Sequence, residues 1–157
     1  MKPVCLVIGA GAGIGGSVGK RFAAEGYHSM LCRRSDQQGL NPLVADIQAQ
    51  GGDASGYLLN VVNEGVIEKL IATVEQDIGP IEVVIFNLGA QIGDRDLQDT
   101  SYKAFERCWH IATFSLFRPA SVVCPLMVER GEGSIIVTSA TAAVRGNAGQ
   151  HAHAAAM

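Results

Sequence analysis

The chain has 157 residues, 48% of them hydrophobic and 17% charged, with a net charge of −3 at pH 7. That length suits one domain with a buried core, and the composition excludes a disordered chain. The acidic balance argues against nucleic acid or an anionic membrane as the main partner.

In chain order, Val4 to Ile8 is an apolar run of strand length that breaks into glycines. Ser17 to Gly26 then reads as a helix closed by its C-terminal glycine. His28 to Cys32 predicts a second strand, ending at Arg33-Arg34-Ser35, and a helix follows from about Pro42 to Gln50, stopped by Gly51-Gly52. Ala54 to Leu59 is a third strand. Glu64 to Ile78 is an amphipathic helix with Val66, Ile67, Leu70, Ile71 and Val74 on one side. Ile81 to Phe86 is a nearly unbroken apolar run rich in β-branched residues, typical of a buried parallel strand. Residues 91–100 read as a polar loop. A long helix is expected from about Ser101 to Arg130, with a kink or break at Pro119 and Pro125. Ser134 to Thr138 is the fifth strand, and residues 140–157 read as a loose tail of the single domain, 1–157.

Alternating strands and helices give an α/β fold, a Rossmann-like doubly wound parallel sheet with strand order 3-2-1-4-5. The order reverses between the first and fourth strands, which predicts a ligand crevice where Gly9 to Gly15 meets Asn87 to Ala90. Cys5, Cys32, Cys108 and Cys124 form no C-x-x-C pair or metal cluster, so they read as small apolar residues of a reducing compartment. No secretory signal pattern opens the chain and no apolar run reaches membrane-spanning length, so a cytoplasmic location is expected. His151 and His153 lack further ligands, and no metal site is expected.

The strand–glycine–helix junction is the feature with chemical content. The first turn of a helix offers unpaired N–H groups and the positive end of the dipole, and glycines let a pyrophosphate come close. Gly11, Gly13 and Gly16 fit G-x-G-x-x-G, whereas Gly9, Gly13 and Gly15 fit a looser G-x-x-x-G-x-G. The second frame is preferred because the apolar run ends at Ile8, directly before Gly9. Just past the second strand, where an acid would hold the ribose 2′-hydroxyl of NAD, stand Arg33 and Arg34, whose planar forks suit the 2′-phosphate of NADP. NADP is therefore expected over NAD.

Three segments together resemble the short-chain dehydrogenases/reductases, and the resemblance covers the whole chain. Gly9, Gly13, Ile14 and Gly15 match that family's glycine motif, with Gly11 between them. Phe86-Asn87-Leu88-Gly89 stands where the family has Asn-Asn-Ala-Gly, and Gly133 to Ser139 matches the strand leading to its catalytic serine. The resemblance implies NAD(P)-dependent hydride transfer to or from a carbonyl or alcohol, with Asn60 and Val61 on the nucleotide side and an Asn-Ser-Tyr-Lys catalytic group. The chain departs from that group. Ala112 takes the asparagine position, Ser139 lies one residue from the serine position, and His153 and Met157 replace the tyrosine and lysine. Asn60 stands for an aspartate and Ile8 for a threonine. Ser139 and His153 are the candidate catalytic residues, since an imidazole can carry a proton near neutral pH. The family also continues past this length, which implies that the helix bearing Trp109, Phe114 and Phe117 is bare in a monomer and mediates a homo-oligomer. A small-molecule substrate is the partner implied for an active enzyme. The competing expectation is a non-catalytic NADP-binding protein, regulatory or decayed.

Overall fold

The computed structural model describes residues 1–90, 93 and 96–157. Five parallel strands form one sheet in the order β3-β2-β1-β4-β5: β1 Val4–Ile8, β2 His28–Arg33, β3 Asp53–Leu58, β4 Ile81–Phe86 and β5 Ser134–Val137. This is the doubly wound, Rossmann-like order that the sequence predicts. Side chains alternate across each strand, so β1 sends Leu6 and Ile8 into one core and Cys5 and Val7 into the other. On the first side they meet Ile67, Leu70, Ile71 and Val74 of α3 (Val66–Asp77) and Val123 and Met127 of α5 (Ser115–Arg130). On the second they meet Ala23 of α1 (Ile14–Ala24) and Leu40 and Ile47 of α2 (Gln37–Ala49). Both faces of β1 and β4 are thus covered, which is why their sequences are apolar without alternation.

Several boundaries differ from the sequence expectation. Helix α2 begins at Gln37, not near Pro42, because Asp36 caps it by accepting a hydrogen bond from the Gly39 N–H at 2.8 Å. Pro42 sits inside the helix. The polar loop expected over 91–100 lies partly outside the described residues, and Leu97–Asp99 within it forms one 3-10 turn.

The long helix is irregular, but not at its prolines. Helix α4 (Tyr102–Trp109) passes through a π-helical segment, His110–Phe114, into α5, which runs through Pro119 and Pro125. The Ser115 hydroxyl donates to the His110 carbonyl at 2.6 Å, satisfying an acceptor at the widened turn. Against expectation, the whole run Tyr102–Arg130 is long and apolar enough to cross a membrane, with a mean hydropathy of 1.6 over its most apolar 18 residues. In this fold its inner face carries Val123 and Met127 into the core against the sheet. Residues 140–157 are not uniformly loose. They hold α6 (Ala142–Arg145) and α7 (His151–Ala156), and α7 packs on α4 through Ala152, Ala156 and Cys108.

Candidate functional site

The strand order reverses between β1 and β4, and their carboxyl ends open a cleft of about 980 Å³. Its floor comes from the ends of four strands, with Ile8 and Gly9, Cys32, Leu59 to Val62, and Leu88 to Ala90. One wall is the turn Arg33 to Asp36. The other is α4 and the π segment, which present Lys103, Glu106, Arg107, His110 and Ile111. Those five positions recur at helical spacing and therefore form one stripe.

The glycine loop shows which of its glycines the protein itself requires. Gly9 has φ +96°, and a Cβ there would overlap the Asn87 carbonyl. Asn87 reinforces the junction, its Nδ2 donating to the Gly9 carbonyl at 3.1 Å. A Cβ on Gly15 would strike the Gly9 carbonyl, and one on Gly16 the Gly11 carbonyl, which accepts from the Gly16 N–H at 2.8 Å. Gly11 and Gly13 differ, since a Cβ on either would meet no protein atom within 4 Å. Neither has a positive φ. Packing therefore explains Gly9, Gly15 and Gly16, while Gly11 and Gly13 border open space. They do so beside a helix start with no side-chain cap and no acid in its first turn. That space, next to free dipole and amide capacity, fits a phosphate group of a dinucleotide. Ile14, 60% exposed, opens the helix on the same side.

Of the residues that the sequence singles out, the cleft gathers Gly9, Arg33, Arg34, Asn60, Val61 and Gly89. Gly11, Gly13, Ile14 and Gly15 adjoin it in the glycine loop, and Asn87 supports it from the end of β4. The two arginines are not equivalent. Arg33 pairs with Asp36 at 2.9 Å and is largely covered, whereas Arg34 is exposed with no ion-pair partner among the described residues. The Asn60 amide reaches Asn63 at 3.4 Å.

Ser139 and His153 stand apart from the cleft lining. His153 Nδ1 lies 3.2 Å from the Ala90 carbonyl. A carbonyl only accepts, so Nδ1 carries the hydrogen and Nε2 is the other ring position for proton exchange. The Cys108 thiol donates to the same carbonyl at 3.2 Å, and burial pushes that thiol above its ordinary range. The Ser139 hydroxyl donates to the Met157 carbonyl at 3.0 Å. A Cβ on Gly89 would stand 3.2 Å from Met157 Sδ and 3.8 Å from the His153 ring, so α7 lies close behind the cleft floor. Ala112 sits in the π segment, buried with Ala90, Cys108, Ala152 and Ala156.

Leu59, Val62, Lys103, Glu106, Arg107, His110 and Ile111 line the cleft without any functional expectation from the sequence. The 103/106/107/110/111 spacing was available as a signal. Nothing in the sequence showed that this stripe, and not the aromatic one, faces the strand ends.

The short chain dehydrogenase family model matches residues 3–156. A crystal structure of a short-chain dehydrogenase from Rhodopseudomonas palustris superposes with a TM-score of 0.91 at 36% identity, covering 98% of this chain and 71% of that one. Among curated relatives, the 3-oxoacyl-[acyl-carrier-protein] reductase FabG of Thermotoga maritima is 29% identical over 152 residues, which is 97% of this chain and 61% of the relative. The short-chain reductase protein NovJ of Streptomyces niveus is 33% identical over 155 residues, 99% of this chain and 58% of the relative. The chain thus spans about three fifths of the length of these curated relatives. Matched by the family model over residues 3–156 and sharing the fold of that solved short-chain dehydrogenase, it belongs to the short-chain dehydrogenase family of oxidoreductases.

Proposed function

We propose that this chain binds NADP in the cleft at the strand ends and serves hydride transfer to or from a carbonyl or alcohol of a small-molecule substrate. The observation that carries this is the contrast within the glycine loop: Gly15 and Gly16 are closed by protein atoms, and Gly11 and Gly13 face open space. The pyrophosphate would lie against the start of α1, and the adenine on the apolar floor beside Asn60 and Val61. The adenosine 2′-phosphate would meet Arg34, whose guanidinium has no ion-pair partner among the described residues to give up. The nicotinamide ring, when bound, supplies or accepts the hydride.

The proton is left to the chain's own residues. His153 exchanges it through Nε2, because Nδ1 is held by the Ala90 carbonyl. Ser139 can donate to a substrate oxygen only by releasing the Met157 carbonyl. Met157 offers no cation and Ala112 no amide at the positions where the family resemblance places them, so the proton step rests on fewer groups. A positioned acid contributes about 10²- to 10⁴-fold in rate, and His153→Phe is expected to lose activity of that order.

The test is NADPH binding by fluorescence, followed by NADPH oxidation against a panel of aldehydes, ketones and quinones. Binding with slow, His153-dependent oxidation is expected. Binding without oxidation of any acceptor would leave the non-catalytic alternative, and folded protein that binds neither NADP(H) nor NAD(H) at millimolar levels would remove the cofactor assignment. We place the protein in the cytoplasm as a homo-oligomer assembled through α4 and α5. Their outer face exposes Phe105, Trp109 and Phe117, and Trp109 stacks on Phe114 with ring centres 5.4 Å apart. A monodisperse monomer in sedimentation would overturn that assembly.

A further inference from the structure

The two walls of the cleft are both cationic, and α4 was not expected to contribute. Among the described residues the cleft is lined by Arg33, Arg34, Lys103 and Arg107, against two acids, Asp36 and Glu106. Each acid is already placed. Asp36 pairs with Arg33 at 2.9 Å, and a Glu106 carboxylate oxygen lies 3.8 Å from His110 Nε2. Arg34 on one wall, and Lys103 and Arg107 on the other, are exposed and have no ion-pair partner among the described residues. This excess of positive charge stands in a chain whose net charge is −3. Lys103 and Arg107 are four residues apart on one helix face, so both extend toward the same space. A cleft of about 980 Å³ is on the order of 10 Å across, comparable to the Debye length at 0.1 M salt, so a phosphate held at one wall is only partly screened from the other.

We infer that Lys103 and Arg107 form a second cationic wall that, with Arg34 opposite, holds the phosphate on the adenosine ribose of the nucleotide. The inference rests on the cofactor reading proposed above and adds to it two specificity-determining residues on α4. The apolar floor of Ile8, Cys32 and Val61 takes the flat base, and the charged walls select nucleotides that carry the extra phosphate. Both side chains are exposed, so replacing them leaves the core untouched.

The test is calorimetric titration of the wild type and the Lys103→Ala/Arg107→Ala variant with 2′,5′-ADP and with 5′-AMP, which lacks the 2′-phosphate. At low salt, each lost cation is expected to weaken 2′,5′-ADP by about fivefold, while 5′-AMP changes by less than about twofold. The charge-keeping variant Lys103→Arg/Arg107→Lys should stay near the wild type. Equal weakening of both ligands would show only long-range attraction and would overturn the assignment, as would an unchanged 2′,5′-ADP affinity, in either case leaving the cofactor site standing. A wild type that binds neither nucleotide would overturn the assignment and the cofactor reading together.

Discussion

Replacing Gly9 by alanine separates two costs that the structure places on one residue. Gly9 has φ +96°, and an added Cβ would run into the Asn87 backbone carbonyl, which β4 holds in register with β1. Gly26 has almost the same conformation, φ +93°, but a Cβ there meets nothing within 4 Å. Gly26→Ala should therefore show the conformational cost alone, about 1–2 kcal/mol. Gly9→Ala adds an overpacking cost of about 1–3 kcal/mol against backbone that cannot turn aside, for about 2–5 kcal/mol in all. At about 2–4 °C per kcal/mol for a chain of this size, melting should fall by roughly 2–8 °C for Gly26→Ala and roughly 4–20 °C for Gly9→Ala. The third member of the set is Gly11→Ala, with no positive φ and open space around the new methyl. It should melt within a degree or two of the wild type, since its cost is about zero, yet lose NADPH binding. Thermal unfolding followed by circular dichroism, with NADPH fluorescence titration on the same samples, reads all three. Equal melting of Gly9→Ala and Gly26→Ala would refute the steric part. Normal NADPH binding by Gly11→Ala would refute the view that the space beside Gly11 is kept open for a ligand.

Arg34→Ala should weaken NADP by about tenfold, as for one lost charge-assisted bond to phosphate, with NAD affinity nearly unchanged. Arg33→Ala should instead act mainly on the Asp36 turn, and loss of NADP selectivity in Arg33→Ala alone would reverse the two roles. Burial pushes His28 below its ordinary value of 6.5, against an opposing pull from Asp53 and with a smaller push from Lys2, and the ring lies 2.9 Å from the Ser55 hydroxyl across β2 and β3. The unfolded chain then binds a proton that the fold resists, so stability is full above pH 6.5 and falls as pH drops below it. His28→Gln should flatten that slope in urea titrations between neutral and mildly acid pH, and unchanged slopes would count against this account. Burial pushes the Cys5 and Cys32 thiols up to about 12 and raises Cys108, whereas Cys124 is exposed. Ellman's reagent should find one fast thiol in the native protein and four after unfolding, and a second fast native thiol would contradict the packing of the buried cysteines.

The sequence alone settled the sheet and its order. The inner strands are an apolar run and a nearly unbroken one interrupted by Glu82, and each connection is long enough for a crossover, which leaves few topologies. It also placed Gly9 directly after the first strand, because a strand end and a left-handed turn are both local events. What tertiary structure decided is how distant segments face one another. Asp36 starts α2 six residues ahead of Pro42 because a side-chain cap outweighs a proline that the helix can absorb. The long helix widens at His110–Phe114, not at its prolines, and its α4 part sets a charged stripe beside the strand ends. The difference between Arg33 and Arg34 is likewise invisible in the sequence, since only the fold brings Asp36 onto one guanidinium and leaves the other with no ion-pair partner among the described residues. Short-range preference fixes elements and turns, but the partners of a charge or an open face depend on contacts between residues far apart in the chain.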